Sequence, residues 1–355
     1  MKIVEPQTEQ EAAEILRCAY QESAAVIPRG AGTKSDWGNP PLRADVVLAT
    51  AHLNRVLEHA WADLTVTVEA GCTIAELQRT LAERGQRLAA DPLWPERATV
   101  GGALSTNDTG VLRYRYGGWR DLIIGVTVAL ADGTLAKSGG KVVKNVAGYD
   151  LSKLVTGALG TLGVITSATF RLHPLPKHTR TVTISVPDLS GMQKILNRIL
   201  DSQLTPAAVQ VRAGAAAPQI DALLEGIEEG IDAQVDGLRK IAPLSDSDAD
   251  VWKRLEAGAK ISVLPSQIAE TLEGLDGYAV VEATGVGWVQ SRELAALREL
   301  REKIERMGGS LVLMGPYQGM DAWGATGDAL PLMRAIKRQF DPRNILNPGC
   351  FVGGI

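Results

Sequence analysis

The stretch "AAVIPRGAGTKSDWGNPP" (24–41) runs from an apolar, strand-like start into two glycines one residue apart, then Thr, Lys and Ser. Such a loop can hold a nucleotide phosphate, because its backbone N–H groups can converge on one point with no Cβ in the way. A dinucleotide fingerprint needs a third glycine opening a helix. Position 35 is Ser, and the run Trp37-Gly38-Asn39-Pro40-Pro41 forbids a long helix. A Walker A loop needs Gly directly before Lys, and Thr33 intervenes. From these residues alone, a plain turn and a binding loop stand level.

Three further segments carry candidate chemistry. "ATVGGALSTNDTG" (98–110) combines Gly101-Gly102, which let another molecule approach the backbone, with short polar side chains at Ser105, Thr106, Asn107 and Thr109. It reads as a ligand-contacting loop, against the alternative of a polar surface loop. "SGGKVVKNVAGYDLSKL" (138–154) offers Lys141, Lys144 and Asn145 to a negative ligand, or is a solvated loop capped by Asp150. "GALGTLGVIT" (157–166) leads three glycines into a strand and reads as a helix C-cap with a tight turn. Arg113, Arg115 and Arg120 could pair with a substrate carboxylate; loop stabilisation or a partner-facing role is the reading preferred for them.

Composition limits the alternatives. The 355 residues imply two domains. A hydrophobic share of 45%, a charged share of 22% and a net charge of −4 describe an ordinary globular chain without a basic face for nucleic acid. The N-terminus lacks the apolar core of a signal peptide, and "LIIGVTVALA" (122–131) is half the length needed to span a bilayer. Cys18, Cys72 and Cys350 are scattered and form no CxxC, which argues against a disulfide framework, a zinc ribbon or an iron–sulfur cluster. His52, His59, His173 and His178 are the only histidines, so no metal site is expected. A cytoplasmic location follows, at the inner face of the membrane if partners bring the chain there.

The elements that must position these segments alternate. Thr8 with Glu11, and Thr73 with Glu76, have capping-box spacing and open helices, the first to about Gln21 and the second to Gly85. Strands are expected at 24–28, 45–49, 64–71 and 163–174, with a hairpin over 122–139 turning at Asp132-Gly133. Residues 91–118 read as a long functional loop. After Pro176, two β-α-β runs (181–212 and 260–284) share a Ser-Val step before a Pro-marked helix start, a weak internal duplication. A helix over 290–307, a strand over 310–314 and a helix over 328–339 precede the turn-rich "FDPRNILNPGCF" (340–351).

In this order, "PRGAGT", "ATVGG…TN..G", "GGKVVKNVAGYDL" and "GTLGVIT" resemble the FAD-binding domain of the vanillyl-alcohol-oxidase family, the PCMH-type fold. "FDPRNILNPG" resembles that family's closing segment. "GAGTKSDWGNP", "WPERATVGG" and "GGKVVKNVAGYDL" are more similar still to one branch, the FAD-binding E subunits of bacterial glycolate oxidases. The resemblance implies an α+β chain. Its FAD-binding domain spans 1–176, in two α/β subdomains of about 1–70 and 71–176. An α+β cap covers 177–330, and residues 331–355 return to the FAD domain. FAD would be held by Pro28, Arg29, Gly30, Ala31, Gly32, Thr33 and Lys34 on one side. Thr99, Gly101, Gly102, Thr106, Asn107 and Gly110 would line the other, with Gly163 and Ile165 near the adenosine end. Arg29 or Lys34 would add charge at the pyrophosphate.

Covalent flavins in the family hang from a His or Cys; the opening loop here has no His, the 98–110 loop no Cys and the cap no His after position 178, so the FAD is expected to be non-covalent. The family's hydroxy-acid dehydrogenases carry a His-rich motif in the cap, and this chain has no His after position 178, so the catalytic residue is left unassigned. The implied function is the FAD-binding subunit of a multi-subunit glycolate (2-hydroxy acid) oxidase. A second flavin subunit shares substrate oxidation, and an iron–sulfur subunit takes the electrons. The alternatives are a self-sufficient hydroxy-acid dehydrogenase and a flavin-free scaffold.

Overall fold

The computed structural model describes residues 1–140, 150–247, 249–256, 258–291, 293–315 and 319–355. The residues Lys141, Lys144 and Asn145 lie outside the described residues. The chain divides into two compact units, one of residues 1–110, 117–175 and 326–355, the other of 111–116 and 176–325.

The first unit opens with β1 (Lys2–Val4), α1 (Glu9–Glu22), β2 (Val26–Arg29) and β3 (Val46–Ala49). The Thr8 hydroxyl accepts from the Glu11 amide and starts α1, whose buried face is Ala12, Ala13, Leu16 and Ala19. The three strands form a parallel sheet in the order β1-β3-β2. The outer edge of β2 does not stay open. The Val26 amide donates to Ile345 O (2.7 Å) and Asn347 N donates to Val26 O (2.9 Å), so the C-terminal tail lies alongside it.

There follow β4 (Val56–Ala60), β5 (Thr65–Glu69), α2 (Ile74–Ala82), β6 (Gln86–Arg87), α3 (Val100–Thr106), α4 (Arg113–Tyr116), α5 (Trp119–Leu122), β7 (Ile123–Ala129), β8 (Leu135–Gly139), α6 (Leu151–Val155), β9 (Val164–Arg171) and β10 (His173–Pro174). A five-stranded antiparallel sheet runs β4-β5-β9-β7-β8, and β6 pairs with β10. The expected hairpin is β7–β8, and its turn is fixed by the Thr134 amide donating to Asp132 Oδ1 (2.9 Å). Trp119, Phe170, Leu77, Leu104 and Val128 pack the core beside this sheet.

Residues 91–118 correct the expectation of one long loop. Thr99 accepts from the Gly102 amide (3.2 Å) and starts α3, which Asn107 ends in the left-handed conformation at φ 48°. The small residues of "VGGALST" allow a helix here because the N-cap supplies what their low helix propensity lacks.

The second unit contains α4, then β11 (His178–Ser185), α7 (Leu189–Leu200), β12 (Ala208–Ala213), β13 (Gln219–Gly226), α8 (Glu228–Arg239), β14 (Ser245–Asp246), β15 (Gly258–Ser262), α9 (Ile268–Leu272), β16 (Tyr278–Glu282), β17 (Val286–Gln290), α10 (Leu294–Arg306) and β18 (Ser310–Met314). Eight strands form one sheet in the order β14-β11-β13-β12-β16-β17-β15-β18. Taken by halves, each is β-α-β-β-α-β with its strands in the order fourth, first, third, second, and the two second strands, β12 and β16, meet antiparallel. The duplication read from the Ser-Val steps is therefore present in the topology. It is larger than expected, because β13 with α8 and β17 were not foreseen. Alternate residues such as Val209, Val211, Ile220, Ala222, Val281 and Val289 enter the core with the apolar faces of the helices. The final helix, α11 (Leu330–Phe340), belongs to the first unit.

Candidate flavin site

The first unit contains a cavity of about 320 Å³, within the size range of small-molecule sites. It is lined by Pro28 to Ser35 at the end of and after β2, by the N-cap Thr99 and Gly101, Gly102, Ser105 and Thr106 of α3, by Leu159, Gly160, Gly163 and Ile165 before and in β9, and by Asn347 and Cys350 of the tail. Segments far apart in sequence thus share one wall each.

The two principal walls touch. A Cβ on Gly30 would fall onto Thr99 Oγ1, and a Cβ on Gly101 would come within 2.8 Å of Ala70 Cβ. Glycine at these positions is therefore a requirement of close packing around the cavity. Among the described residues, the amides of Ala31, Gly32 and Thr33 donate to no backbone carbonyl. Uncharged donors in a confined loop, with the Arg29 side chain beside them, fit a diphosphate, so the residues present fit FAD.

Of the residues expected to hold FAD, all but Asn107 and Gly110 line this cavity. Asn107 instead ends α3, and a Cβ on Gly110 would strike Asp91. The Lys34 side chain is turned away into a buried pair. Its Nζ lies 3.2 Å from Asp108 Oδ2 and donates to Leu93 O at 3.3 Å. Asp108 Oδ2 also accepts from the Leu93 amide at 2.9 Å. The rings of Trp37 and Trp94 flank the ammonium at 5.7 and 5.5 Å.

The tail's share of the cavity was missed. Asn347 Nδ2 donates to Leu159 O at 2.7 Å, and Cys350 Sγ donates to Asn347 Oδ1 at 3.4 Å. Burial pushes the Cys350 thiol up to about 11, so it is neutral at physiological pH. The motif "ILNPGC" was visible, but nothing in it told which wall it would join.

The arginines considered for substrate hold the chain's own groups. Arg115 Nη1 donates to Thr205 O (2.8 Å), Arg120 Nη2 donates to Thr156 O (3.0 Å), and Arg113 Nε lies 3.9 Å from the buried Glu282 carboxylate. Among the histidines, His59 Nε2 meets Gln86 Oε1 at 3.0 Å and His52 lies 3.4 Å from Glu5. Burial, with Arg171 and Arg87 nearby, pushes His173 below its usual value. Among the described residues no group of His, Cys, Asp or Glu could hold a metal ion, and no helix is long and apolar enough to cross a membrane.

A parallel sheet ending in a glycine loop, an antiparallel sheet beside it, and a cavity bounded by both, α3 and the returning tail define an FAD-binding protein of the PCMH-type fold. Residues 2–139 match the family described as FAD binding domain, and residues 323–350 match FAD linked oxidases, C-terminal domain. These matches make the chain similar to FAD-linked oxidases in its N-terminal part and in its closing segment.

It is 25% identical to "Glycolate oxidase subunit GlcD" of Bacillus subtilis, over 98% of this chain and 88% of that one. It is 28% identical to a D-lactate dehydrogenase of Archaeoglobus fulgidus, over 98% and 90%. It is also 34% identical to the mitochondrial D-2-hydroxyglutarate dehydrogenase of Rattus norvegicus, over 52% of this chain and 35% of that one. Among solved structures, p-cresol methylhydroxylase superposes with a TM-score of 0.80 at 17% identity, covering 98% of this chain and 88% of that one. An alkyldihydroxyacetonephosphate synthase gives 0.74 at 18%, covering 98% and 76%.

Proposed function

We propose that this chain is the FAD-binding subunit of a multi-subunit glycolate (2-hydroxy acid) oxidase. It holds its FAD non-covalently and passes electrons to an iron–sulfur partner. The observation that carries the reading is the convergence of the glycine loop, α3, the 159–165 segment and the tail on one cavity. Similarity to a glycolate oxidase subunit over nearly the whole chain supports the substrate class.

In this reading the amides of Gly30 to Thr33 solvate the diphosphate, and Arg29 adds positive charge. The α3 wall, through Gly101, Gly102 and Thr106, excludes water from the other side. Gly163 and Ile165 pack at the adenosine end. FAD, when bound, supplies a two-electron acceptor for the hydrogen on the carbinol carbon. The chain's three cysteines, all free, cannot supply the four ligands of a cluster, which is why the reading includes an iron–sulfur partner.

A second reading, a self-sufficient dehydrogenase, has its own support in the full-length similarity to a D-lactate dehydrogenase. The test is purification of the chain alone. It should be yellow and release unmodified FAD on denaturation. Anaerobic glycolate or D-lactate should bleach the flavin slowly or not at all until the partner subunits are added. Rapid bleaching of the isolated chain favours the second reading, and a colourless chain that takes up no FAD overturns both.

A further inference from the structure

We infer that Lys34 is a positioning residue that sets the separation of the two cavity walls through Asp108, and that its charge is not offered to the FAD diphosphate. The inference rests on the flavin reading of the cavity and adds a role for a side chain whose ammonium is held by other groups of the chain.

Lys34 follows the glycine loop directly, where a lysine would ordinarily be assigned to phosphate. Its side chain is 4% exposed, and its Nζ is held by Asp108 Oδ2, Leu93 O and the faces of Trp37 and Trp94. Asp108 is fully buried and lies two residues beyond the end of α3. It is fixed in its own right, since Oδ2 accepts from the Leu93 amide and its carbonyl accepts from Trp119 Nε1 at 2.8 Å.

One end of the ion pair is therefore rooted in the glycine loop, and the other in the segment that carries α3. Those are the two walls that meet at Gly30 and Thr99. An ammonium partnered on this many sides would have to give up a buried carboxylate to reach a diphosphate, leaving that carboxylate stranded. Removing either partner should instead let the walls shift, and FAD binding should weaken although no contact to FAD has been deleted.

The test is FAD affinity of the full chain, stripped of flavin and titrated with FAD while tryptophan and flavin fluorescence are followed. Wild type, Lys34→Met, Asp108→Asn and the double variant are compared at two salt concentrations. Each single variant should weaken binding about tenfold or more, the double variant should be no worse than the worse single, and the salt dependence should match wild type. Lys34→Arg, which keeps the charge but replaces the compact ammonium with a longer planar guanidinium, should weaken binding too, and it guards against misfolding of Lys34→Met.

If Asp108→Asn binds FAD as well as or better than wild type while Lys34→Met loses affinity and salt dependence together, Lys34 contacts the diphosphate and the inference is wrong. Variants that melt earlier yet bind FAD with wild-type affinity overturn it as well. Failure of the wild type to bind FAD condemns the flavin reading itself.

Discussion

Lys337 Nζ lies 2.7 Å from Asp341 Oδ2, one helical turn on, and reaches from there to Thr161 O at 2.8 Å and Leu346 O at 2.9 Å. The same carboxylate accepts the amides of Ile345 and Leu346. Both side chains are buried, and burial pushes the Lys337 ammonium below its usual value while Asp341 pulls it back up. One buried pair thus ties α11, the tail and the 159–165 segment together. Lys337→Met should cost about 3–5 kcal/mol, the range for stranding one member of a buried pair. Urea unfolding measures the loss. Limited proteolysis should cut the tail sooner, and FAD should raise the melting temperature of the variant less than that of wild type.

Gly30→Ala should act by overlap with Thr99 Oγ1, since no conformation is strained by a Cβ there. Overpacking of this kind costs about 1–3 kcal/mol. FAD affinity should fall more than stability, because the displaced atoms are cavity walls. Adding Thr99→Ala should recover part of the affinity while losing about 1 kcal/mol of the α3 cap. Isothermal titration with FAD reads both effects.

The buried thiols Cys72 and Cys350 have values pushed by burial from 9.0 up to about 11. Their folded values lie above the unfolded one, so their contribution to stability is complete below pH 9 and is lost as pH rises toward 11. Cys72→Ala should flatten this alkaline loss by on the order of 2 kcal/mol, whatever it does to stability at pH 7. Urea midpoints from pH 7 to 11 provide the check. In native protein, iodoacetamide should label exposed Cys18 first, and mass spectrometry should find the other two only after unfolding.

In the second unit, Asp221 is fully buried. It accepts from Thr183 Oγ1 (2.6 Å), Gln210 Nε2 (3.0 Å), Arg212 Nε (2.6 Å) and Arg212 Nη2 (2.9 Å). Asp221→Ala takes the acceptor from Thr183 and strands the Arg212 guanidinium, while Gln210 Nε2 keeps Val251 O, and should cost about 3–5 kcal/mol. Hydrogen exchange should show the lost protection in β11, β12 and β13, the strands joined by the network. Uniform loss across the chain would contradict this assignment.

The caps and turns were legible because each is local. Thr8, Thr73 and Asp150 act on amides three residues away, and Asp132-Gly133 closes its own hairpin. The order of the glycine motifs was legible too, and it led to the cavity. What stayed hidden depends on distant partners. Lys34 looks like a phosphate ligand until Asp108 appears beside it, and Asn347 looks like a turn residue until Leu159 does. α3 was hidden because two glycines mask a helix whose start is fixed by one threonine hydroxyl. The strands β13 and β17 lie inside segments that periodicity left as connections, and their ladders, β13 with β11 and β12 and β17 with β15 and β16, define them.

The seam between β12 and β16 has a consequence for how the second unit can change. Separated there, each half would expose the backbone of an inner strand, an open template for pairing with any other chain. Joined, each half supplies the edge its twin needs, as two copies of a symmetric dimer would. In a true dimer, one substitution strikes both sides of the axis at once. Here Gln210 faces Glu282 across the seam, so the two sides already differ. Tethering the halves in one chain keeps the mutual protection of a dimer and lets each side acquire its own chemistry.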